Sequence, residues 1–354
     1  MRKIFIDPGS IDYSLVHEAA QVIFNEGIVA LPTETVYGLA GRADKKEVVE
    51  KLYKIKQRPG EKPFAYVVDN PQEATDNYFF TLPPFGYRLI ERFWPGPLTI
   101  IYYAPDDRKI GVRVPSHVVA KEIFKEANVP VYLPSANISG EKEAVSASEV
   151  EAIFDGKIDL VVDSGSSSHA QASTVIDLTQ HPFKILREGV VLGKDIVEVF
   201  VKKRVLFVCT GNSCRSPLAQ FLLEKYLQEV KPHLESRYQI ISCGIHALEN
   251  SRISTSAASI LRDQEGIDAR WFRAKKMDRH IILSSDLIFT MEDSQSNYIL
   301  SFEPTVQGRI FSLKKFLPPQ LERDIPDPIG GSFELYGQVY SLIKSAILEI
   351  IDWL

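Results

Sequence analysis

The sequence predicts an α/β protein with two domains, residues 1–201 and residues 202–354. The chain has 354 residues, which is long for one domain. Short apolar segments alternate with amphipathic segments along residues 1–201, and this alternation is typical of α/β folds. The pattern starts again at residue 204, after a short charged junction that contains no proline or glycine. We therefore place the domain boundary between residues 201 and 202.

In the first domain, helices are predicted where apolar residues recur every three or four positions. The clearest covers residues 14–26. One stripe of this segment contains Val16, Ala19, Ala20, Ile23 and Phe24, and Gly27 ends the segment. Two further helices are predicted at 46–56 and 190–200. Short apolar runs predict strands at 28–31, 64–68, 98–103, 131–133 and 175–178. The Gly/Ser-rich residues 163–168 are predicted to be an internal loop, because a linker there would separate the strand at 175–178 from its domain.

The second domain repeats the alternation of strands and helices. Strands are predicted at residues 204–209, 238–242 and 286–290. Helices are predicted at 217–230, 254–265 and 333–353. The last helix has a nearly continuous apolar face, which includes Leu342, Ile343, Ile347 and Ile350.

Composition and charge limit the class of protein. The chain is 45% hydrophobic and 25% charged, and its net charge of −5 provides no general basic field for nucleic acid. Its three cysteines form no CxxC pair, as is typical of a reducing compartment. The N-terminal residues lack the apolar core of a signal peptide, and no apolar run reaches the length of about 18 residues that a membrane span needs. We therefore expect a cytoplasmic protein without a membrane segment.

The segment that follows the apolar run 205–208 predicts a phosphate site. Six residues, 210–215, can turn their backbone N–H groups around an oxyanion, and the helix predicted after them points its N-terminus at the same centre. Pro217 is tolerated at such a helix start. These surroundings favour a thiolate nucleophile at Cys209, and Arg215 offers a planar fork to two phosphate oxygens.

Other residues of this loop are expected to shape it or to assist the nucleophile. Gly211 allows a left-handed conformation, Asn212 can brace the loop, and Ser216 can donate to the thiolate. The phosphate-loop candidates are Thr210, Gly211, Asn212, Ser213, Cys214 and Ser216. The best candidate for a general acid is Asp327, on a loop flanked by prolines, although an Asp-Pro pair alone is common in ordinary turns.

Together these motifs resemble the low-molecular-weight protein tyrosine phosphatase family over residues 203–354. The resemblance rests on Val205–Pro217, on Asp327-Pro328 and on the segment Ile241–Ala247. It implies a four-stranded parallel sheet flanked by helices. It also implies that Cys209 is the nucleophile, Arg215 the phosphate binder and Asp327 the acid, and that the domain needs no cofactor to act on a phosphoprotein.

Two departures leave the substrate open between phosphotyrosine and phosphoarginine. Tyrosine-directed members carry aromatic residues after the Asp-Pro pair, whereas this chain has Ile329-Gly330-Gly331. Ser213 stands where those members often have isoleucine, and both departures resemble the protein-arginine phosphatase branch. Cys214 can form a reversible disulfide with Cys209 or simply pack within the loop.

The first domain contains compact polar motifs but neither a P-loop nor a GxGxxG sequence. The motifs are Pro32–Leu39, Lys56–Pro59, Lys62-Pro63, Trp94–Thr99, Arg113–Pro115, Ser135–Gly140, Ser173–Asp177 and Arg187–Gly189. In this order they closely resemble the YrdC/TsaC family of threonylcarbamoyl-AMP synthases. The resemblance covers residues 10–195 and implies a twisted α/β domain that joins L-threonine, bicarbonate and ATP, with Mg²⁺, for the modification of tRNA adenosine 37.

The chemistry of a triphosphate then suggests roles for the polar residues, because several cations are needed around it. The candidate ATP-binding residues are Lys56, Arg58, Arg113, Ser135, Asn137 and Arg187. The candidate threonine-binding residues are Thr33, Lys62 and Ser173. No residue is assigned to a protein-bound metal.

Two hypotheses of different classes follow. In the first, the chain is a bifunctional enzyme, a synthase joined to a phosphatase, with tRNA or tRNA-modification proteins as further partners. In the second, it joins a double-stranded-RNA-binding module to a phosphoprotein-binding domain. The second hypothesis does not require nucleophile, arginine and acid to occur together, and here all three are present.

Overall fold

We describe the fold from a computed structural model, which covers residues 1–60, 62–79, 81–321 and 323–354. The chain divides into two compact units, Met1–Leu82 with Arg88–Val197 and Pro83–Tyr87 with Glu198–Leu354. The boundary at 201/202 remains a prediction from the sequence.

Among the described residues before position 202, the structure has ten strands and seven α-helices. The strands are β1 (Arg2–Phe5), β2 (Val29–Leu31), β3 (Gly38–Arg42), β4 (Ala65–Val67), β5 (Leu98–Tyr103), β6 (Lys109–Arg113), β7 (Val131–Tyr132), β8 (Leu160–Asp163), β9 (Thr174–Asp177) and β10 (Lys184–Arg187). The helices are α1 (Tyr13–Phe24), α2 (Lys46–Lys56), α3 (Pro71–Glu73), α4 (Pro84–Phe93), α5 (Val118–Ala127), α6 (Ala147–Phe154) and α7 (Gly193–Val201).

Four more strands and five more helices follow. The strands are β11 (Lys203–Cys209), β12 (Tyr238–Gly244), β13 (Leu287–Thr290) and β14 (Ile310–Ser312). The helices are α8 (Arg215–Val230), α9 (Thr255–Glu265), α10 (Arg279–Leu283), α11 (Asp293–Phe302) and α12 (Phe333–Trp353).

Helix α1 shows why the apolar pattern predicts this part of the fold. Asp12 caps the helix by accepting from the backbone N–H of Ser14. Its buried residues are Val16, Ala19, Ala20 and Ile23, four of the five that share the predicted stripe, whereas Phe24 is exposed at the helix end. Their burial against the sheet is the main gain for a helix of this length.

The strands before residue 202 form one mixed sheet of ten strands. Their order is β1-β8-β2-β3-β7-β4-β6-β5-β9-β10. Parallel pairs such as β5 with β9 alternate with antiparallel pairs such as β2 with β3. Several polar motifs lie at strand ends or in the turns that leave them, so the sheet brings together residues that are far apart in sequence.

The second sheet has four parallel strands in the order β12-β11-β13-β14. This confirms the predicted four-stranded parallel sheet and, with the mixed sheet, the α/β class. Helix α8 begins at Arg215, two residues earlier than predicted, so Pro217 is its third residue rather than its first. A proline is still tolerated there because the first-turn N–H groups have no partner within the helix.

Across the described residues, every helix is too short or too polar to span a lipid bilayer.

Candidate active sites

The phosphate loop, residues 210–215, joins the end of β11 to the start of α8. The left-handed residue of this loop is Asn212, with φ of 50°, and the expectation that Gly211 takes this conformation is therefore wrong. Asparagine tolerates left-handed backbone better than most residues. The turn aims the backbone N–H of Asn212 at Cys209 Sγ, 3.2 Å away.

The fully buried side chain of Asn212 connects the loop to the rest of the domain. Its Nδ2 donates to Ser216 Oγ and to Ser242 Oγ, each at 2.9 Å, and its Oδ1 accepts from the backbone N–H of Lys275 at 2.8 Å. Gly244 lies directly beside the loop, where a Cβ atom would come within 2.7 Å of the Asn212 nitrogen. The loop is thus held in shape by a satisfied polar network and a close backbone approach.

Cys209 lies at the base of this loop and is buried. Its Sγ is 2.9 Å from Ser216 Oγ, and the first turn of α8 faces it. A hydroxyl, a backbone N–H and a helix N-terminus therefore surround the sulfur with hydrogen-bond donors and positive partial charge. This arrangement places the cysteine sulfur where it can attack an incoming phosphorus atom.

Arg215 brings the predicted acid to the same place. Its Nη2 donates to Asp327 Oδ2 at 2.6 Å, and its Nη1 donates to the carbonyl of Ile325 at 3.0 Å. It also forms an ion pair with Glu292, a residue that the sequence reasoning did not single out. Glu292 follows β13 at the carboxyl edge of the parallel sheet, and this position is the signal that could have found it.

The cysteines around the loop are not joined by a disulfide. Cys209, Cys214 and Cys243 are all free thiols, so the disulfide between Cys209 and Cys214 remains a hypothesis. Cys214 Sγ lies 3.3 Å from Tyr336 Oη and 3.6 Å from Ser213 Oγ. Thr210 Oγ1 accepts from Gln295 Nε2 at 3.3 Å.

In the first unit, the turn after β2 is tightly bonded within itself. Thr33 Oγ1 donates to the carbonyl of Val36 at 2.6 Å and lies 2.8 Å from Thr35 Oγ1. It also accepts from the backbone N–H groups of Thr35 and Val36. The Thr33 hydroxyl therefore shapes the turn, and its predicted contact with threonine remains untested.

Lys56 ends α2 and is fully buried. Its Nζ donates to the carbonyl of Asn137 at 2.8 Å, to Asn137 Oδ1 at 3.1 Å and to the carbonyl of Ser135. An ammonium has three donors, and these three acceptors use all of them. Lys56 therefore holds the Ser135–Asn137 turn, and its predicted role in ATP binding stays a prediction.

The Ser135–Asn137 turn is further fixed by its own side chains. Ser135 Oγ donates to Asn137 Oδ1 at 2.7 Å, and Asn137 Nδ2 donates to the carbonyl of Glu141 at 2.7 Å. Beside it, Arg58 Nε donates to the carbonyl of Lys62 at 2.9 Å, while the Lys62 side chain is exposed.

Arg113, at the end of β6, forms a buried ion pair with Glu34. Arg113 Nη2 lies 2.6 Å from Glu34 Oε1 and 2.9 Å from Thr35 Oγ1, and Glu34 Oε2 accepts from the backbone N–H of Ser116 at 3.0 Å. Burial acts to raise the pKa of Glu34, and the Arg113 guanidinium outweighs it and lowers the pKa. Glu34 is within a predicted motif, but the sequence does not reveal its pairing with Arg113.

Arg187 and Ser173 are also brought together. Arg187 Nε donates to the Ser173 carbonyl at 3.0 Å, and its Nη2 donates to Ser173 Oγ at 3.2 Å. A close approach supports this contact, since a Cβ atom on Gly189 would lie 2.1 Å from the carbonyl oxygen of Ala172. Ser173 Oγ also lies 3.0 Å from Thr99 Oγ1.

The cations of this unit lie close enough to influence one another's charge. Burial lowers the pKa of Lys56 to about 8, with a smaller contribution from Arg58 that is opposed by Glu143. Burial also lowers the pKa of Arg187, where Glu143 opposes the effect and the charges of Arg113 and Arg58 add to it. Arg58, Arg113 and Arg187 therefore form one positive cluster near the Ser135–Asn137 turn.

Metal ligands are not gathered anywhere in the parts of the chain that the structure describes, since no three His, Cys, Asp or Glu side chains converge there. The Glu34 carboxylate beside Arg113 is already bonded to Arg113 and to the backbone N–H of Ser116. These residues do not fit a protein-held Mg²⁺ ion.

Comparison with known proteins agrees with the two units. The Sua5/YciO/YrdC family model, described as telomere recombination, matches residues 21–189, and the low molecular weight phosphotyrosine protein phosphatase model matches residues 204–354. A threonylcarbamoyl-AMP synthase from Pyrococcus abyssi is 34% identical over 204 residues, which are 55% of this chain and 60% of that protein. A Methanocaldococcus jannaschii protein, given the same name provisionally, is 32% identical over 48% of this chain and 83% of its own length.

A solved structure of Pyrococcus abyssi Sua5 in complex with L-threonine has a similar fold. It matches with a TM-score of 0.54 and 23% identity, over 69% of this chain and 92% of that chain. The chain spans less than two thirds of the length of the Pyrococcus abyssi and Bacillus subtilis synthases that it matches. The second unit matches the model of the low molecular weight phosphotyrosine protein phosphatase family. Through its first unit the chain belongs to the Sua5/YciO/YrdC family of threonylcarbamoyl-AMP synthase homologues.

Proposed function

We propose that the chain is a bifunctional enzyme. Its first domain forms L-threonylcarbamoyladenylate from L-threonine, bicarbonate and ATP, for the threonylcarbamoyl modification of tRNA adenosine 37. Its second domain is a cysteine-dependent protein phosphatase that acts on phosphotyrosine or phosphoarginine. The observation that carries the phosphatase proposal is the meeting of Cys209, Arg215 and Asp327 at one loop.

The phosphatase reaction proceeds in two displacements. The Cys209 thiolate attacks phosphorus and forms a cysteinyl phosphate, while Asp327 gives its proton to the leaving oxygen or nitrogen. Water then attacks the cysteinyl phosphate, Asp327 takes a proton from that water, and inorganic phosphate leaves the regenerated thiolate. Arg215 and the loop N–H groups neutralise the equatorial oxygens in both steps.

Substrate choice is tested on the full chain with a panel of phosphotyrosine and phosphoarginine peptides. The Cys209→Ser form is the control, because it keeps the loop and loses the nucleophile. Release of phosphate from one class by the parent and not by Cys209→Ser is the expected result. If neither class of peptide releases phosphate, the phosphatase proposal is removed.

The synthase reaction needs charge neutralisation more than it needs a covalent nucleophile. The amine of threonine first combines with bicarbonate, with loss of water, to give the N-carboxylate (carbamate) of threonine. An oxygen of this carbamate attacks the α-phosphate of ATP, and pyrophosphate leaves. The cluster of Arg58, Arg113 and Arg187 supports the triphosphate, and the turn held by Lys56 presents Ser135 and Asn137 to the nucleotide. Lys62, Ser173 and the Thr33 turn are proposed to hold threonine, and Mg²⁺ is proposed to arrive bound to the triphosphate.

Release of pyrophosphate that requires both threonine and bicarbonate tests the synthase. Arg187→Ala should lower kcat/KM by about 100-fold, because it removes a hydrogen-bond donor that would stabilise the negative charge developing on the pyrophosphate leaving group. Arg108→Ala is the matched control, since Arg108 is exposed and pairs with Asp106. Equal activity of the two variants would remove Arg187 from the site.

The alternative hypothesis of an RNA-binding module and a phosphoprotein reader makes the opposite prediction. It expects binding without turnover, from both the synthase and the phosphatase assay. We favour the enzyme because the nucleophile, the arginine and the acid occur together, the arginine and the nucleophile lie at the two ends of one loop, and the arginine touches the acid. A cytoplasmic location, contact with tRNA or its modification proteins, and a phosphoprotein substrate belong to the same proposal.

A further inference from the structure

An exposed basic strip, Arg273, Lys275 and Lys276, lies alongside the phosphate loop. Lys275 donates its backbone N–H to Asn212 Oδ1 at 2.8 Å, and its carbonyl accepts from the backbone N–H of Gly244 at 2.9 Å. Gly244 in turn is in register with Cys209 on the neighbouring strand. The strip is therefore fixed next to the nucleophile by backbone contacts that do not use its side chains.

The side chains of the strip are directed to solvent. Ala274 is completely buried, whereas Arg273, Lys275 and Lys276 are exposed. Hydrogen bonds between Ala274 and the residues Asn250 and Ser251 hold the segment down. Arg273 and Lys275 flank the buried Ala274 and Lys276 follows directly, so three exposed cations lie within four consecutive positions.

The charges of the strip have no acidic partner among the described residues, whereas neighbouring cations do. Arg270 is bound by Asp268, and Arg279 by Glu303. The Arg273 guanidinium donates only to carbonyl groups of its own segment, at 2.8 and 3.1 Å.

Two carboxylates face the strip, and each is engaged by backbone. Glu249 Oε2 accepts from the N–H of Lys276 at 2.6 Å, and Asp278 caps α10 by accepting from the N–H of Ile281 at 2.7 Å. Burial raises the pKa of the Cys243 thiol, and the Lys275 ammonium partly opposes this shift.

We infer that this strip recruits phosphoprotein segments in which acidic residues lie next to the phosphorylated side chain. The inference rests on the proposed phosphatase function and names its substrate class. An extended peptide that seats its phosphate in the loop would pass carboxylates over the strip, which spans about 10 Å, the length of three extended residues. RNA also carries negative charge, but its phosphodiesters do not match a cradle that ends in a nucleophile and an acid.

The test compares two phosphopeptides of equal length and equal phosphorylated residue, with the full chain at low salt. One carries Asp and Glu on both sides, and the other carries Asn and Gln. The substituted forms are K275Q/K276Q and the charge-matched control K202Q/R237Q, whose residues lie at the opposite, amino-terminal ends of β11 and β12. A small aryl phosphate reports on the chemistry itself.

The parent should prefer the acidic peptide by about tenfold in kcat/KM, and the preference should shrink as salt rises. K275Q/K276Q should lose the preference while it hydrolyses the aryl phosphate as the parent does, and K202Q/R237Q should keep the preference. A preference that survives in K275Q/K276Q, or an equal loss on both peptides, would overturn the inference.

Three further outcomes can be distinguished. An RNA oligonucleotide that inhibits more strongly than an unphosphorylated acidic peptide would assign the strip to nucleic acid and overturn the inference. If the parent hydrolyses the aryl phosphate but shows no preference for the acidic peptide, the inference is overturned and the phosphatase function stands. No hydrolysis of any substrate would remove the phosphatase function as well.

Discussion

Arg215 Nη2 donates to Asp327 Oδ2 across 2.6 Å, although the two residues are 112 positions apart. The contact joins the phosphate-binding group to the predicted acid, and the ion pair with Glu292 completes the environment of the guanidinium. A substrate phosphate has to compete with these carboxylates for the arginine. Release of Asp327 from Arg215 then frees the acid to serve the leaving group.

Asp327→Asn should affect substrates according to their leaving group. We expect kcat to fall by about 100-fold for a substrate whose leaving atom needs a proton, and much less for an aryl phosphate with a stable anion. Steady-state kinetics on both substrates measure this difference. Equal losses on both, or a change in KM alone, would make Asp327 a positioning residue for Arg215.

Lys56→Met should destabilise the first domain by about 3 kcal/mol, because three buried acceptors lose their only shared donor. Lys54→Met, on the exposed side of the same helix, is the control and should change little. Denaturant unfolding monitors both variants. Unchanged stability combined with lost ATP affinity would instead put Lys56 directly on the triphosphate.

Glu265 should govern the acid stability of the second domain. Burial acts to raise its pKa, but hydrogen bonds from Lys225, Tyr340, Lys344 and Tyr226 outweigh it and lower the pKa to about 2. The unfolded state therefore takes up the proton first, so this contribution is present above pH 4.5 and is lost as pH falls toward 2.

Glu265→Gln should accordingly lower the free energy of unfolding at pH 7 by about 2 kcal/mol and flatten its decline in acid. Asp263→Asn is the control, since Asp263 is exposed and pairs only with Arg262. Unfolding curves between pH 2 and pH 7 provide the measurement. Parallel curves for Glu265→Gln and the parent would show that Glu265 carries no such contribution.

Glu73 should affect the pH dependence of stability in the opposite direction, with stability lost as pH rises. It lines a cavity of about 990 Å³ with Asp69, Tyr66 and Tyr78, and burial together with the Asp69 carboxyl raises its pKa to about 7. The folded state holds the proton more tightly, so the stabilisation is complete below pH 4.5 and is lost as pH rises to 7.

Glu73→Gln should therefore raise the unfolding midpoint at pH 8 relative to the parent and change it little at pH 4. Glu50→Gln, on an exposed turn of α2, should show no such difference. Thermal unfolding at the two pH values tests this. A midpoint that is lowered at pH 8 would contradict the assigned direction.

Much of the fold could be predicted because apolar periodicity and burial coincide. Helices at 46–56 and 333–353 and the strand at 98–103 match α2, α12 and β5 residue for residue. Elements that were not predicted are the strands β1, β3, β6, β8, β10 and β14 and the helices α3, α4, α5, α6, α10 and α11. Short strands carry weak periodicity, whereas α5 was missed although its buried residues recur at helical spacing. Their positions depend on neighbours in the sheet that the sequence does not reveal.

The chemistry was more predictable than the contacts. Motif order identified the residues that approach one another, such as Ser173 with Arg187. It could not reveal that the Lys56 ammonium donates its hydrogen bonds to the Ser135–Asn137 turn. Nor could it reveal that Asn212, rather than Gly211, adopts the left-handed conformation. Both features depend on three-dimensional packing. The partners Glu34 and Glu292 were missed for the same reason.

The most direct test of the central claim, two separate active sites on one chain, is mass-spectrometric detection of threonylcarbamoyl-AMP. The full chain and its Cys209→Ser form are each supplied with ATP, threonine and bicarbonate. We predict equal yields of the adenylate from both, with phosphatase activity lost only in Cys209→Ser. The absence of the adenylate from the parent chain would contradict the claim.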